Sequence, residues 1–559
     1  MAAVSYYLSL SVVACLCIFS VSSLSDHESF LRCFSSHVSP TTNLSQLLYL
    51  PNSPDYSSLL FSSIQNLRFA SSETPKPLLI VAPADEFQFQ VQASVICCRS
   101  HGLPIRARSG GHDYEGLSYR SEKASSFVLL DLEKLRSVTV DVEHGVAWVE
   151  AGATLGELYY KVAEKSGRLG FPAGVCPTVA VGGHLSGGGF GPLSRKYGLA
   201  ADNILDAKMV DADGRILDKE SMGENLFWAI RGGGGASFGI IISWKVKLVH
   251  VPATVSVFTV RRTMEQGAIE LVHRWQNTAH KLHEDLFLRV DIVHVNRGDQ
   301  RVVEAAFKSL FLGHCDGLLR HMGEHFPALG VERNDCREMS WIDSAVYAAG
   351  YTNGEPAEIL VNRELQPKDF NKGKSDYVTE PIPVSGWEAI WARLSEEGAT
   401  GSMHMDPWGG RMSEISESDI PFPHRKGNLF IILYLSTWRD EGVAASTKHL
   451  GWIRSMFRFM TPYLSKRPRA AYLNYRDLDL GRNKEGNASY WKAMAWGERY
   501  FRNNFRRLAM VKGEVDPHNF FSNEQSVPPL LAETGERPQK ICSTSMSISD
   551  QRSPIKHML

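Results

Sequence analysis

The sequence predicts an α+β fold, and three observations carry that prediction. Up to about residue 251, short apolar runs alternate with helical patterns, the texture of strands and helices taken in turn. From 252 to 460 the apolar runs alternate with polar residues, as half-buried antiparallel strands do. The 559 residues exceed one ordinary core, so two or three domains are expected. Hydrophobic residues make up 43% and charged residues 22%, values typical of a globular chain. The balance of 60 Lys+Arg against 61 Asp+Glu leaves no basic excess, which argues against a nucleic-acid partner.

Residues 1–25 read as a signal peptide. An apolar run over 6–21 precedes Ser22-Ser-Leu-Ser25 and the polar Asp26, so cleavage is expected near Ser23 to Ser25, although the positive leading segment is missing. The run is shorter than the about 20 apolar residues of a membrane span. No later segment is long enough, and no stable membrane association is expected. Secretion places the cysteines in an oxidising compartment. Of nine cysteines, Cys15 and Cys17 leave with the signal. The odd seven that remain require at least one unpaired thiol, and a bridge from Cys33 to Cys97 or Cys98 is expected. Asn43-Leu-Ser and Asn487-Ala-Ser are glycosylation sequons that fit the same route.

Residues 26–75 are serine-rich and predict a leading helix with loops. A buried strand follows over 77–82, then a helix over 86–102 ending in a glycine cap. A strand over 104–108 runs into Arg106-Ala-Arg-Ser-Gly-Gly-His-Asp-Tyr-Glu-Gly116. Gly110 and Gly111 permit close backbone approach to a ligand, Arg108 brings positive charge, and Ser109 brings a donor. His112 stands where a nucleophilic nitrogen could reach what the loop holds. Strands over 127–132, 138–142 and 146–151 come next, and Thr154 caps a helix over 155–165. Two more glycine patches follow, at 174–191 and 231–241. The first of these carries neither a Walker lysine nor the spaced dinucleotide fingerprint. Three such patches point to a dinucleotide lying across several loops.

Beyond 252, strands are predicted over 255–260, 286–293, 302–311 and 429–438. Amphipathic helices over 264–278 and 315–325 should cover one face of the resulting sheet. A helix over 491–511 precedes a polar, aperiodic tail from about 532, which reads as disordered. No metal-ligand spacing appears.

The motifs are specific enough in combination to carry a resemblance. Arg108-Ser-Gly-Gly-His-Asp-Tyr-Glu-Gly116, Gly174-Val-Cys-Pro-Thr-Val179, Gly182-Gly-His-Leu-Ser-Gly-Gly-Gly189, Arg195-Lys-Tyr-Gly-Leu-Ala-Ala-Asp-Asn203, Pro421-Phe-Pro-His-Arg425, Asn474-Tyr-Arg-Asp477 and Asp516-Pro-His-Asn-Phe-Phe521 resemble the plant berberine bridge enzyme-like flavoproteins, over about residues 30–530. The resemblance implies a two-subdomain PCMH-type FAD-binding domain over 26–251. It further implies a substrate domain over 252–460 and a segment over 461–531 that returns to the FAD domain, with the tail at 532–559. It implies a bicovalent FAD, bonded to His112 and Cys176. Further cofactor contacts are implied for Arg108, Ser109, Gly110, Gly111, Asp113, Tyr114, Gly182, Gly183, His184, Ser186, Gly187, Asp202, Asn203, Gly239, Ile240, Ile241 and Asn474. Val179 matches the position that gates oxygen, and Tyr475 matches a catalytic tyrosine, whose use as a base needs a lowered pKa.

The strand over 429–438 departs from the family. Ile431 and Leu433 stand where relatives often present Lys or Glu and Glu or Gln, and Phe190 stands where alcohol-oxidising relatives often carry Tyr. Ile431 and Leu433 share one strand face, so an unusually apolar substrate pocket is expected. The expected activity is a secreted, apoplastic or vacuolar, monomeric oxidase. It would pass hydride from a phenolic or prenylated aromatic metabolite to FAD, with O2 as acceptor and H2O2 as product. A carbohydrate or monolignol oxidase, and a non-redox cyclase with structural FAD, are the alternatives.

Overall fold

The computed structural model describes residues 26–531, apart from 85–86, 123, 125, 299, 365–367 and 484–487. The signal segment, the tail and Asn487 lie outside the described residues. Asn43 is exposed, and its side chain caps a short turn by accepting from the Ser45 N–H at 3.2 Å.

The chain first builds a small sheet from β1 (Leu48–Tyr49), β2 (Leu79–Val81), β3 (Ile105–Arg108) and β4 (Val128–Asp131), in the order β1-β2-β4-β3. β2, β4 and β3 run parallel and β1 antiparallel. Helices Asp26–His37 and Phe87–Ser100 pack against it through Phe30, Phe34, Val91 and Val95. Cys33 and Cys97 join these two helices in a disulfide, which leaves Cys98 as a free buried thiol. The expected glycine cap is present: Gly102 has φ of 65° just past the second helix.

A second, antiparallel sheet has the order β5-β6-β10-β8-β9, from β5 (Val138–Asp141), β6 (Val146–Glu150), β8 (Ile204–Val210), β9 (Ile216–Leu217) and β10 (Ile240–Lys247). β7 (Leu169–Gly170) and β11 (Val249–His250) form a separate pair. Thr154 caps Leu155–Lys165 in a full capping box with Glu157, which satisfies two end amides reciprocally.

The third sheet is larger than the pattern predicts. β12 (Val255–Thr263), β13 (Leu286–Arg297), β14 (Gln300–Phe311), β15 (Arg337–Met339), β16 (Phe370–Val378), β17 (Gly401–Pro407) and β18 (Phe430–Trp438) form a seven-stranded sheet in the order β15-β12-β14-β13-β17-β18-β16. The strands β15, β16 and β17 carry charge or are short, so apolar alternation does not mark them. One face buries Phe430, Ile432 and Tyr434 under helices Ala268–Thr278, Val384–Ser395 and Val443–Phe459. The opposite face carries Ile431, which packs with Tyr377, Trp408 and Tyr472 in a core shared with the second sheet.

Two local expectations are corrected. The helix over 264–278 begins only at Ala268, because Gly267 adopts φ of 77° after a short 3-10 turn. The helix over 491–511 is two helices, Tyr490–Phe501 and Asn504–Val515, broken at Arg502 with φ of 46°. Phe501 and Phe505 stack across the break at 6.1 Å, so the apolar stripe continues while the helix does not. A second disulfide, Cys315–Cys336, closes the start of helix Cys315–His325 onto the segment before β15. Among the described residues no helix is long and apolar enough to cross a membrane.

A buried ion cluster ties the elements together. Lys372 and Lys374 on β16 are 1% exposed. Lys372 pairs with Glu115 from the glycine loop and with Asp477 at 2.6 Å. Lys374 pairs with Asp477 at 2.6 Å and Asp479 at 2.8 Å. Burial alone would raise the Asp477 pKa, but the two ammonium groups outweigh it and hold the carboxyl below the usual range. Asp477→Asn should therefore lower folding stability by about 3–5 kcal/mol, the effect of stranding a buried charge, read as a fall in the denaturation midpoint. The native pKa lies below the unfolded value of about 4. The contribution of Asp477 is thus complete above pH ~4 and is lost as pH falls through the native pKa, so the gap between wild type and variant should shrink in acid.

Candidate active site

One cavity of about 750 Å3 lies where the three sheets meet, large enough for a dinucleotide-sized ligand. The loop Ser109, Gly110, Gly111, His112, Asp113 and Tyr114 forms one wall. Gly110 and Gly111 line the cavity and are also packed tightly against the protein. Gly111 has φ of 68°, and a Cβ there would stand 1.6 Å from the Ser63 carbonyl oxygen. Asp113 shapes the loop as well: it accepts from the Glu115 N–H at 2.8 Å and pairs with Arg476 at 3.0 Å.

The facing wall is the short helix Val181–Ser186, with Gly182, Gly183, His184, Ser186 and Gly187 on the cavity. The Ser186 carbonyl accepts from the N–H groups of Gly232 and Gly234, both at 2.9 Å, which docks the third glycine patch. Burial lowers the His184 pKa to about 4. The ring is therefore neutral, and its Nε2 accepts from the Gly174 N–H at 3.1 Å. Asn474 donates to the His184 carbonyl at 2.9 Å. Gly239, Ile240 and Ile241 complete this side.

His112 and Cys176 converge on one hydroxyl. His112 Nε2 lies 3.1 Å from Thr178 Oγ1, and Cys176 Sγ lies 3.7 Å from the same atom. Away from bulk water, burial lowers the His112 pKa to about 4, so the imidazole is neutral and nucleophilic near neutrality. Val179 lines the cavity three residues past Cys176.

Four residues implied as site members stand elsewhere. Arg108 is fully buried, pairs with Asp131 at 2.5 Å and donates to the carbonyls of Leu59 and Leu60. Its charge is spent inside the first sheet. Asp202 grips Arg425 with both oxygens, at 2.6 and 2.9 Å, and Asn203 donates to the Tyr197 and Leu199 carbonyls at 2.9 Å. Both brace the fold beside the cavity. Ile431 shares a strand face with Leu433, but only Leu433, Leu435 and Thr437 of β18 line the cavity.

Tyr475 lines the cavity from a 3-10 turn, with its ring against Tyr472, Tyr114 and Phe190 at 5.0, 5.9 and 6.0 Å. Its hydroxyl is not activated. Burial first, then the Asp406 carboxylate, push its pKa well above the usual value. The pocket is also not apolar throughout. Arg289 of β13 and His404 and Asp406 of β17 line it beside Leu433. Arg289 pairs with Asp291 at 2.7 Å and approaches Asp406 at 3.6 Å. His404 and Lys308 also hold Asp291, at 2.9 and 2.8 Å. Burial opposes the charge on Asp291, but Arg289, His404 and Lys308 overcome it and hold its pKa well below the usual range. The signal for this cluster was in the sequence: Arg289 and Asp291, and His404 and Asp406, are charged or titratable at two-residue spacing in otherwise apolar strands.

These residues fit FAD. His112 and Cys176 stand together at the wall of a cavity that the glycine-rich segments also line, with room for a dinucleotide. Gly183 lines the cavity, and a Cβ there would meet no protein atom within 4 Å.

Comparison with known proteins agrees. Residues 77–219 match the FAD binding domain model, and residues 471–528 match the model described as berberine and berberine like. The chain is 52% identical to tetrahydroberberine oxidase of Berberis wilsoniae over 515 residues, which is 91% of this chain and 95% of that one. The chain belongs to the berberine bridge enzyme-like family of FAD-linked oxidases. It is 50% identical to O-acetylstemmadenine oxidase of Catharanthus roseus, over 93% of this chain and 97% of the relative. The solved structure of the grass pollen allergen Phl p 4, a glucose dehydrogenase, aligns with a TM-score of 0.85 at 46% identity, over 90% of this chain and 100% of that one. A variant of it with one isoleucine replaced by valine is a glucose oxidase.

In this berberine bridge enzyme-like fold, Gly183→Ala should leave far-UV circular dichroism unchanged while lowering the flavin-to-protein absorbance ratio, because its methyl group enters space the cofactor needs. An undiminished ratio would show that this wall does not hold the flavin.

Proposed function

We propose that this protein is a secreted oxidase that takes hydride from a small aromatic plant metabolite onto FAD tethered through both His112 and Cys176. The observation that carries this reading is the convergence of His112 and Cys176 on the Thr178 hydroxyl at the wall of one cavity. When bound, FAD accepts the hydride and passes its electrons to O2, giving H2O2. The chain's own residues hold and orient. The neutral His112 keeps a ring nitrogen available for bond formation, and Thr178 fixes the ring. Phe190, Tyr475 and Tyr114 offer aromatic faces to a flat substrate. Leu433, Leu435 and Phe287 add apolar surface, which favours an aromatic or prenylated substrate over a sugar that would need many hydrogen-bonding partners.

Relatives that act on tetrahydroberberine and O-acetylstemmadenine support a polycyclic, largely apolar substrate. Two disulfides support an oxidising compartment. In Phl p 4 one methylene separates dehydrogenase from oxidase, and the presence of Val179 on the cavity supports oxidase behaviour here.

The test is anaerobic mixing with a panel of phenolic alcohols, prenylated phenols, tertiary-amine alkaloids and oligosaccharides while the visible flavin band is followed. Bleaching by an aromatic member, with H2O2 released on aeration, is expected. If no compound bleaches the band, the oxidase reading fails. Flavin fluorescence should stay with the denatured polypeptide on a gel. It should survive His112→Ala and Cys176→Ala singly and be lost only in the double variant. Val179→Leu should slow reoxidation of the reduced flavin by O2 by about tenfold, a barrier increase of ~1.4 kcal/mol, with the anaerobic bleaching rate unchanged.

A further inference from the structure

The β18 strand, with Ile431 and Leu433, offers no proton acceptor, and Tyr475 keeps its proton. The register of the sheet shows where an acceptor stands. Asp406 pairs directly with Ile431 across β17 and β18, and His404 pairs with Leu433. On the other side Asp291 pairs with His404 and Val290 with Met405, which sets Arg289 beside Asp406. Directly opposed residues share a face and lie about 5 Å apart. Two rows therefore cross the sheet toward the cavity: Arg289, Asp406 and Ile431 in one, and Asp291, His404 and Leu433 in the other.

The two aspartates differ. Asp291 is held by Arg289, His404 and Lys308 within 3 Å, and it does not line the cavity. Asp406 is 3% exposed, lines the cavity, and has as its nearest cation Arg289 at 3.6 Å. Its carboxylate accepts no hydrogen bond among the described residues, its one close contact being Arg289. A buried carboxylate left this open is poised for a donor from a ligand.

We infer that Asp406 is the catalytic base of this oxidase, set one strand over from Ile431 and Leu433 of β18, and that it accepts the proton of a substrate hydroxyl. The inference rests on the oxidase reading above and names its substrate class: an aromatic alcohol whose carbinol carbon is oxidised. The O–H bond breaks and its proton passes to an Asp406 oxygen. The C–H electron pair leaves as hydride to the flavin, the C=O bond forms, and the substrate loses two electrons that the flavin gains. Burial raises the Asp406 pKa, and Arg289 only partly reverses this, which makes it a stronger base than an exposed aspartate. Asp406 is faced by Arg289 and Asp291 of β13, Lys308 of β14, His404 of β17 and the Tyr475 hydroxyl. Tyr475 stays protonated beside it and can donate a hydrogen bond to the substrate oxygen.

The test uses the flavin-loaded full chain. With a bleaching aromatic alcohol, the anaerobic rate should rise with pH as Asp406 loses its proton and then level off. Asp406→Asn should lower the rate by about 10²- to 10⁴-fold and remove the rising limb. His404→Gln should keep the limb. Asp406→Asn combined with Leu433→Glu should recover rate, by placing a carboxylate on β18 beside the same cavity. A readout independent of turnover is benzoate binding followed by calorimetry. In the wild type it should weaken about tenfold per pH unit above the Asp406 pKa, because the ligand carboxylate needs a protonated partner. In Asp406→Asn it should lose that dependence. A wild-type rate and pH limb in Asp406→Asn, or a limb lost in His404→Gln, overturns the proposal, as does unchanged pH dependence of benzoate binding in Asp406→Asn. Failure of the wild type to bleach with any compound would instead sink the oxidase reading and leave the benzoate result to judge Asp406.

Discussion

The site depends on two buried lysines. Lys372 and Lys374 stand on the edge strand β16, and their counter-ions come from two other parts of the chain: Glu115 from the glycine loop, and Asp477 and Asp479 from the turn after Tyr475. Breaking either side would strand charge in the interior, which costs several kcal/mol. The cluster thus fixes three pieces at once: the loop that carries His112, the sheet that carries Arg289 and Asp406, and the turn that carries Tyr475. Arg425 with Asp202 makes a second weld of the same kind, from the segment before β18 to the turn before β8. The cavity exists because these welds hold walls from distant sequence at fixed separation.

Local pattern made one end of the site legible and concealed the other. The glycine patches, His112 and Cys176 lie in short contiguous stretches whose composition is costly inside regular structure, so they stand out in the sequence. The seven-stranded sheet was half legible. Strands such as β13 and β14 alternate cleanly, whereas β16 reads Phe-Asn-Lys-Gly-Lys-Ser-Asp-Tyr-Val and looks like a loop. Its lysines are buried only because partners more than 100 residues away neutralise them. Arg108, Asp202 and Asn203 are charged or polar residues inside ligand-binding motifs, and each satisfies a structural partner that only the fold reveals.

The same distinction applies to the substrate end. Read along one strand, β18 presents the aliphatic Ile431 and Leu433 on this face. Read across the sheet, the same face carries charge on β13 and β17. A sheet face is a two-dimensional surface, and cross-strand neighbours lie as close as residues two apart on one strand. A strand taken alone therefore hides the polar groups its neighbours bring to the same face. Leu433 and Leu435 then stand as apolar walls beside Arg289, His404 and Asp406, the mixed lining typical of pockets that orient a ligand through a few polar groups.

The electrostatics of that lining decide which group can change charge. Asp291 has three cationic or titratable partners within 3 Å, so its proton is lost far below neutrality and it serves as a fixed negative charge. That charge engages the Arg289 guanidinium, which is left with one loose contact to Asp406. The Asp291 charge also raises the Asp406 pKa. Asp406 in turn raises Tyr475, so two anions do not form side by side in the buried pocket. The protons are thereby ordered: absent on Asp291, exchangeable on Asp406, retained on Tyr475. Such an ordering separates an acceptor from a donor within one cavity without requiring either to be strongly tuned by a single neighbour. The fixed charge on Asp291, remote from the ligand, is what makes the two nearer groups different.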